Sequence, residues 1–243
     1  MSGIAKDLAL EQVFGPLLSP DEIIFESGRI ADYDAPERRA LLEFCSYLAN
    51  FLAMPHPDLG RPGPVCPFVP IALNKELIRL TAAQRALTGK QEMASAMEAL
   101  LDTFRAMPPV TEDPVAGDAV YKTIIAVLNR LPRDSAPALL DAVQSDLKPS
   151  FIRKGLMIGR FYPHAPGRGL HSVDFRPFDA PKPSFAVRHM TVFDTPFVID
   201  RDENIVGYLA RFGDEGRQRL VELIEQRDLG VARTREIKEL IEA

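Results

Sequence analysis

The sequence predicts an α+β or α/β layered sandwich, in which one mixed sheet has helices packed mainly on one face. Amphipathic stretches of helical length alternate with short runs rich in β-branched residues along the middle of the chain. The 21 prolines of the chain cluster between these segments, where they favour rigid loops. With 243 residues, of which 46% are hydrophobic and 26% charged, the chain is long enough to bury a sizeable core.

We expect three parts along the chain. Residues 1–33 form a peripheral N-terminal arm with a short helix over residues 4–13, and residues 34–213 form a single core domain. Residues 214–243 form a charged C-terminal helical extension, which is either a last layer of the fold or an arm for assembly. The terminal helices are therefore a candidate surface for a homo-oligomer.

The first helix of the core is predicted to begin after Asp34. Asp34 is placed as its N-cap, and Glu37, three residues later, is placed to complete a capping box. Leu41, Cys45 and Leu48 follow at helical spacing and share one apolar stripe. We interpret Cys45 as a small core residue, because a buried free cysteine behaves as a hydrophobe.

A proline-rich loop follows this helix. Its prolines run from Pro55 to Pro70 and exclude a helix or a central strand until about Val69, after which a strand is predicted at about 70–80. Cys66 lies in this loop on no helical face. A rigid backbone can hold its sulfur toward a site as a ligand or a nucleophile. The alternative is a buried thiol that serves as a core residue.

The remaining elements of the core alternate between helix and strand. The helices are predicted at 88–107 and from Ser135 to the residue before Gly155, and the strands at 119–129 and 156–163. Methionines recur on one side of the first of these helices. We interpret that stripe as core, since methionine at helical spacing usually fills a hydrophobic interior.

Charge and composition exclude several classes of function. The net charge of −5 argues against a general nucleic-acid binder, which needs a basic face to neutralise phosphates. No apolar run approaches the roughly 18 residues of a membrane span, and the first residues do not form a signal peptide, so a cytoplasmic protein is expected. The two cysteines are expected to be thiols.

Histidines are concentrated in an irregular segment at residues 154–194, where chemistry is most expected. His164, His171 and His189 are candidate catalytic groups, together with Cys66 from the proline-rich loop. Three converging imidazoles would suit a first-row metal, but their spacing matches no zinc signature, so no metal ligand is assigned. The cofactor is unassigned, with haem held by Cys66 or one histidine as one candidate. For each histidine, a ring hydrogen-bonded within the fold is the alternative.

Arginines crowd the same segment of this acidic protein. They are Arg160, Arg168, Arg176 and Arg188. Their forked donors suit carboxylates and phosphates, so we expect an anionic small-molecule substrate. The predicted substrate-binding set is Arg61, Arg160, Arg176 and Arg188. Internal pairing is the alternative, because a buried arginine needs an anionic partner. The carboxylates that could supply it are Asp174, Asp179 and Asp194.

Four blocks stand in a fixed order along about residues 40–200. They are RPGPVCPFVP at 61–70, DLKPSFIRKGLMIGRFYP at 146–163, PGRGLHSVDFRP at 166–177 and SFAVRHMTVFDTPFV at 184–198. Together they resemble an uncharacterised bacterial family, a domain of unknown function associated with biosynthetic gene clusters. The resemblance implies a place in small-molecule biosynthesis and no assigned activity. Asp179, Ala180 and Pro181 depart from the Arg-Ser-Pro step expected there.

The proline-rich loop is also similar in layout to that of the haem-dependent N-hydroxylases of the guanidine-alkaloid type. Those enzymes carry a Phe-Pro-Cys loop ahead of their first strand, whereas this chain has Cys66, Pro67 and Phe68 in a different order. No residue role is carried over from them.

The leading hypothesis is an accessory enzyme of secondary-metabolite biosynthesis. It would bind an anionic substrate in a pocket formed by the Cys66 loop and the 160–189 segment. One form of this hypothesis is a haem-dependent oxidoreductase. The alternative is a non-catalytic small-molecule-binding or protein-assembly module, so the sequence leaves open whether the protein is an enzyme.

Overall fold

The computed structural model describes residues 13–111 and 117–242. The helix expected at 4–13 lies outside these residues except for Val13. The helices are α1 (Pro20–Ile24), α2 (Ala35–Tyr47), α3 (Phe68–Asn74), α4 (Lys90–Ala106), α5 (Ala136–Arg153), α6 (Thr195–Val198), α7 (Asp202–Gln226) and α8 (Val231–Glu242). The strands are β1 (Ile78–Ala82), β2 (Thr123–Val127), β3 (Leu156–Phe161) and β4 (Ser184–His189). A π-helical turn, Leu48–Leu52, continues α2.

The four strands form one mixed sheet in the order β1-β2-β4-β3. β1 and β2 are parallel, and β4 runs antiparallel to both of its neighbours. Ile125 in β2 stands opposite Ala186 in β4, and Ala186 stands opposite Gly159 in β3. The predicted α+β fold with one mixed sheet and helices at both ends is confirmed.

The long helices α4 and α5 pack on one face of the sheet. Ile124 and Ala126 of β2 point toward this side, where they join Met93 and Met97 of α4 in one buried cluster. The methionine stripe is therefore core, as predicted. Each fully buried side chain of this size stabilises the fold by about 1.5–3 kcal/mol.

The helix α2 and the proline-rich loop cover the other face. Ile125 and Val127 of β2 point toward this side, since successive strand residues alternate between faces. Cys45 of α2 is buried in the same cluster, as predicted. The edge of β1 is also covered, because Leu18 exchanges two backbone hydrogen bonds with Leu80, of 2.9 and 2.8 Å.

Two local predictions are wrong. The stretch predicted as strand from Pro70 begins as the helix α3, because Pro67 and Pro70 lie at its start, where a missing N–H costs little. Asp34 is the N-cap of α2, but Glu37 does not complete a capping box. The carboxylate of Glu37 instead accepts hydrogen bonds from Arg130, at 2.6 Å, and Asn129, at 3.1 Å.

The helix α7 crosses the boundary expected at residues 213 and 214. Its backbone breaks at Gly213, where φ is 51° and ψ is −129°. Tyr208 and Leu220, one on each side of the break, pack with Ile152 of α5 in a third buried cluster. Within the described ranges, no helix has both the length and the apolar character needed to cross a membrane.

Candidate functional site

A cavity of about 600 Å³ lies between the sheet and the loops that cover its second face. Ile125 and Ala186 form its floor, and Tyr47 and Leu52 contribute to one wall. Most of the other lining side chains are apolar, and many are aromatic. Such a lining favours a ligand with a large apolar or aromatic body.

The proline-rich loop holds Cys66 in the wall of this cavity. The amide of Cys66 donates to the carbonyl of Leu52, at 2.9 Å, and the amide of Val65 donates to the carbonyl of Met54, also at 2.9 Å. The guanidinium of Arg61 donates to the carbonyl of Val65, at 3.1 Å, which ties the loop to itself. Cys66 is half-buried and therefore accessible from the cavity.

The two cysteines differ in environment. Cys45 is 2% exposed, and burial raises the pKa of its thiol to about 12, with a smaller contribution from the charge of Asp21. A thiol with so high a pKa is neutral and inert near pH 7, because the thiolate is the reactive form. Cys66 is therefore the cysteine available for chemistry.

The proline-rich loop touches the histidine- and arginine-rich segment at Gly60. Gly60 has a φ of +78°, and a Cβ built on it would lie 2.4 Å from the carbonyl oxygen of His171. The two loops therefore pack backbone against backbone. This contact brings Arg61 and Cys66 to the same cavity as Arg168 and His171.

Arg188 lines the cavity as one half of an ion pair. Its Nη1 and Nη2 donate to the two carboxylate oxygens of Asp194, with an Nη1–Oδ2 distance of 2.8 Å. Burial lowers the pKa of the Arg188 guanidinium, but the charge and hydrogen bonds of Asp194 outweigh that effect and raise it above its ordinary value. The ring of Phe68 lies 5.9 Å from the same guanidinium.

Arg168 differs from Arg188 in having no carboxylate partner among the residues that the structure describes. Among the described residues it forms no hydrogen bond and no ion pair, although its side chain lines the cavity and is exposed. Arg61 has hydrogen-bond partners but no carboxylate among them: within the described residues its guanidinium donates to the carbonyl oxygens of Pro62 and Val65. Carbonyl oxygens leave the full positive charge of a guanidinium in place.

Three other predicted residues lie outside the cavity lining. Arg160 pairs with Asp141 and Gln144 of α5. Arg176 donates to carbonyl oxygens of its own loop. His164 is exposed, and its amide donates to the carboxylate of Asp179, at 2.8 Å. Asp179 thus has a local structural role at the position where the sequence departs from the expected pattern.

His189 lies on the opposite side of the sheet from the cavity. Arg188 and His189 are successive residues of β4, so their side chains point to opposite faces. The ring of His189 lies 4.9 Å from that of Phe104, on the α4 side. Burial lowers its pKa to about 4, helped by the charges of Lys122 and Arg211. Its Nδ1 is buried and has no hydrogen-bond partner within residues 13–111 and 117–242.

Some cavity residues were not among the predicted site residues. The hydroxyl of Tyr47 donates to the carbonyl of Pro177, at 2.9 Å, and burial raises the pKa of this hydroxyl. Tyr47 gives no functional signal in the sequence, because it sits within a predicted core helix. The described parts of the chain contain no group of three or more His, Cys, Asp or Glu side chains placed to hold a metal ion.

Comparison with known families gives one match. The profile of a family described as Domain of unknown function (DUF6875) matches residues 41–222, a span that includes every residue lining the cavity. Neither a search of curated proteins nor a search of solved structures found a match. The matched span covers most of the chain, and the protein therefore belongs to this family of unknown function.

Proposed function

We propose that this protein binds a largely apolar small molecule carrying an anionic group in the cavity, and acts on it as an accessory enzyme of small-molecule biosynthesis. The observation that supports the proposal is the cavity itself, whose lining combines an apolar floor with Cys66, His171, Arg61, Arg168 and Arg188. The biosynthetic setting is supported by the four sequence blocks and their resemblance to proteins of biosynthetic gene clusters.

The size and lining of the cavity suit such a ligand. Sites for small molecules typically measure roughly 300–1,000 Å³ and combine many apolar groups with a few polar ones. The cavity, at about 600 Å³, lies within that range. Its apolar lining supplies binding free energy through buried area, while its few charged groups orient the ligand.

Two groups in the lining are suited to chemistry. Cys66 offers a thiol for nucleophilic attack, and His171 offers an imidazole for proton transfer. Cys66 contributes electrostatically, after Asp194, to the raised pKa of Arg188, so the sulfur lies within electrostatic range of that guanidinium. His164 and His189 do not line the cavity, which leaves Cys66 and His171 as the reactive groups of the proposal.

A haem-dependent oxidoreductase is a second candidate. Cys66 lies in the wall of an apolar cavity, where a thiolate can serve as an axial ligand to haem iron. Arg61 and Arg168 line the same cavity, and guanidinium groups pair well with carboxylates such as the haem propionates. These three residues would hold the group, and the iron would supply the redox chemistry.

Ligand binding can be tested with the fluorescent probe 1-anilinonaphthalene-8-sulfonate, which is apolar and anionic. We expect saturable fluorescence enhancement with the wild-type protein. Ala186→Phe should abolish it, because the new ring fills the space above the floor. Val206→Phe, which adds a ring at an exposed position of α7, should leave it unchanged. Equal binding by the wild type and a folded Ala186→Phe variant would contradict the proposal.

Two further measurements separate the candidates. After haem addition and removal of unbound haem by gel filtration, the protein fraction should show a Soret band if haem binds, and Cys66→Ser should shift or abolish that band if this sulfur is the ligand. Absence of a protein-bound band rules haem out. Mass spectrometry of cell extracts incubated with the protein tests for turnover. A compound consumed by the wild type but not by Cys66→Ser or His171→Gln supports an enzyme, whereas binding without any turnover supports a non-catalytic carrier.

A further inference from the structure

The charged groups of the cavity lining are unbalanced. They comprise three guanidinium groups, from Arg61, Arg168 and Arg188, and one carboxylate, from Asp194. The lining therefore has an excess of positive charge in a protein whose net charge is −5. Such a local excess attracts an anionic ligand, and the apolar surroundings strengthen the attraction because they lower the local dielectric constant.

Arg188 is the least suited of the three to hold the anion. Asp194 already neutralises it through two hydrogen bonds, and the Asp194 side chain is only 3% exposed. A ligand carboxylate placed on Arg188 would lie close to that of Asp194, and two like charges at this distance repel each other. The N–H groups that Arg188 has left suit a neutral acceptor, such as a carbonyl or hydroxyl oxygen.

Arg61 and Arg168 have no such carboxylate beside them within the described ranges. In the part of the chain that the structure describes, Arg61 donates only to carbonyl oxygens, and Arg168 forms no hydrogen bond or ion pair. The loops that carry them touch where Gly60 packs on the carbonyl of His171. Arg61 adjoins Gly60, and Arg168 lies three residues before His171, so both arginines flank this junction and line the same cavity as His171.

We infer that the anionic group of the ligand binds at this loop junction, to Arg61 and Arg168, while its apolar body lies over the floor formed by Ile125 and Ala186. The inference rests on the proposed function and adds a substrate class to it. The ligand is an apolar molecule with a terminal oxyanion, either a carboxylate or a phosphate. If it also carries a neutral polar group, that group faces Arg188. Both oxyanions accept paired hydrogen bonds from guanidinium groups.

The test compares three probes that share one apolar chain: decanoate, decyl phosphate and 1-decanol. Their affinities are measured by isothermal titration calorimetry below the concentrations at which they form micelles. Arg168→Gln is the informative variant, because Arg168 forms no hydrogen bond or ion pair with any described residue whose loss would disturb the fold. Arg105→Gln removes the same charge from an exposed position on α4 and is the matched control.

We expect the wild type to bind at least one oxyanion more tightly than decanol. Arg168→Gln should weaken binding of that oxyanion on the order of tenfold, with little effect on decanol, because a hydrogen bond to a charged group is lost. Arg168→Lys should restore part of the affinity, and Arg105→Gln should match the wild type. The tighter of the two oxyanions identifies the group that the junction prefers.

Three outcomes would overturn the inference and leave the proposed function in place. They are equal affinity for decanol and both oxyanions, unchanged oxyanion affinity in Arg168→Gln, and binding of the naphthalene sulfonate probe with no binding of any decyl probe. If the naphthalene probe also fails to bind, the proposed function itself fails, and the inference fails with it.

Discussion

Arg188 and Asp194 form a two-point ion pair that closes the turn after β4. The carboxylate of Asp194 also accepts a hydrogen bond from the amide of Thr191, at 2.7 Å, so both of its oxygens are engaged. The pair holds the charged guanidinium of Arg188 at the cavity, and the pair as a whole carries no net charge. It also fixes the segment that follows β4, which supplies Phe193 and Phe197 to the cavity lining.

Replacing Asp194 with Asn should destabilise the protein by about 3 kcal/mol, because a largely buried guanidinium would lose its only carboxylate partner in the described chain. Urea unfolding at pH 7 measures the change. Asp174→Asn is the control, since Asp174 is exposed, and it should alter stability by no more than about 0.5 kcal/mol. A loss in Asp194→Asn as small as the control's would show that the pair is not structural.

His189 should make the stability of the protein depend on pH. Its pKa is about 4 in the folded protein, because of burial and the charges of Lys122 and Arg211, and about 6.5 when unfolded. Between these values the unfolded chain binds more protons, so the free energy of unfolding falls as the pH falls from 6.5 to 4. The total loss is on the order of 3 kcal/mol.

Urea unfolding at several pH values between 4 and 7 checks the effect of His189. His189→Leu removes both the titrating ring and its buried Nδ1, which has no hydrogen-bond partner in the described chain. The free energy of unfolding of this variant should therefore fall less steeply over this pH range than that of the wild type. Parallel curves for the two proteins would contradict the assignment of a depressed pKa to His189.

The two cysteines should differ in reactivity. Under native conditions N-ethylmaleimide should label Cys66, which lines the cavity, and spare Cys45, whose burial raises its pKa to about 12. Mass spectrometry of the intact protein should show one adduct before unfolding and two after it. Cys66→Ser should show none before unfolding. Labelling of Cys45 in the native protein at a similar rate would exclude this arrangement.

Gly60 should be intolerant of a side chain. Its φ of +78° and the 2.4 Å approach to the carbonyl of His171 add a steric clash to backbone strain. Gly60→Ala should therefore destabilise the protein by about 3 kcal/mol. Gly28→Ala is a matched control, since Gly28 has a φ of +62° and open space around it, and it should cost about 1 kcal/mol. Equal losses in a thermal unfolding experiment would show that the two loops do not pack as described.

Predictions that depend on local periodicity agree well with the fold. The helices α2, α4 and α5 begin within about two residues of their predicted starts, because the spacing of apolar side chains and the positions of prolines act along neighbouring residues. Glu37 is a residue for which local spacing gives the wrong partner. Its spacing from Asp34 predicts a capping box, but its actual partners are Asn129 and Arg130, more than 90 residues away.

Contacts between residues distant in the sequence also decide which residues form the candidate site. The sequence marked the proline-rich loop and the segment at 154–194 as the places for a site, and both line the cavity. It could not separate the arginines by role. Among the described residues Arg168 is unpaired and Arg160 is paired, yet their neighbours in the sequence do not distinguish them, because the partners of Arg160 are on a different element.

By itself, the sequence determined the α+β class, the positions of the helices α2, α4 and α5, the core role of Cys45 and two of the segments that line the cavity. Only the tertiary structure decided which charged groups face that cavity. Strand alternation turns Arg188 toward it and His189 away, and the close approach of Gly60 to His171 joins the loops that carry Arg61 and Arg168. Periodicity is local along the chain, whereas strand register and loop packing are set by distant contacts.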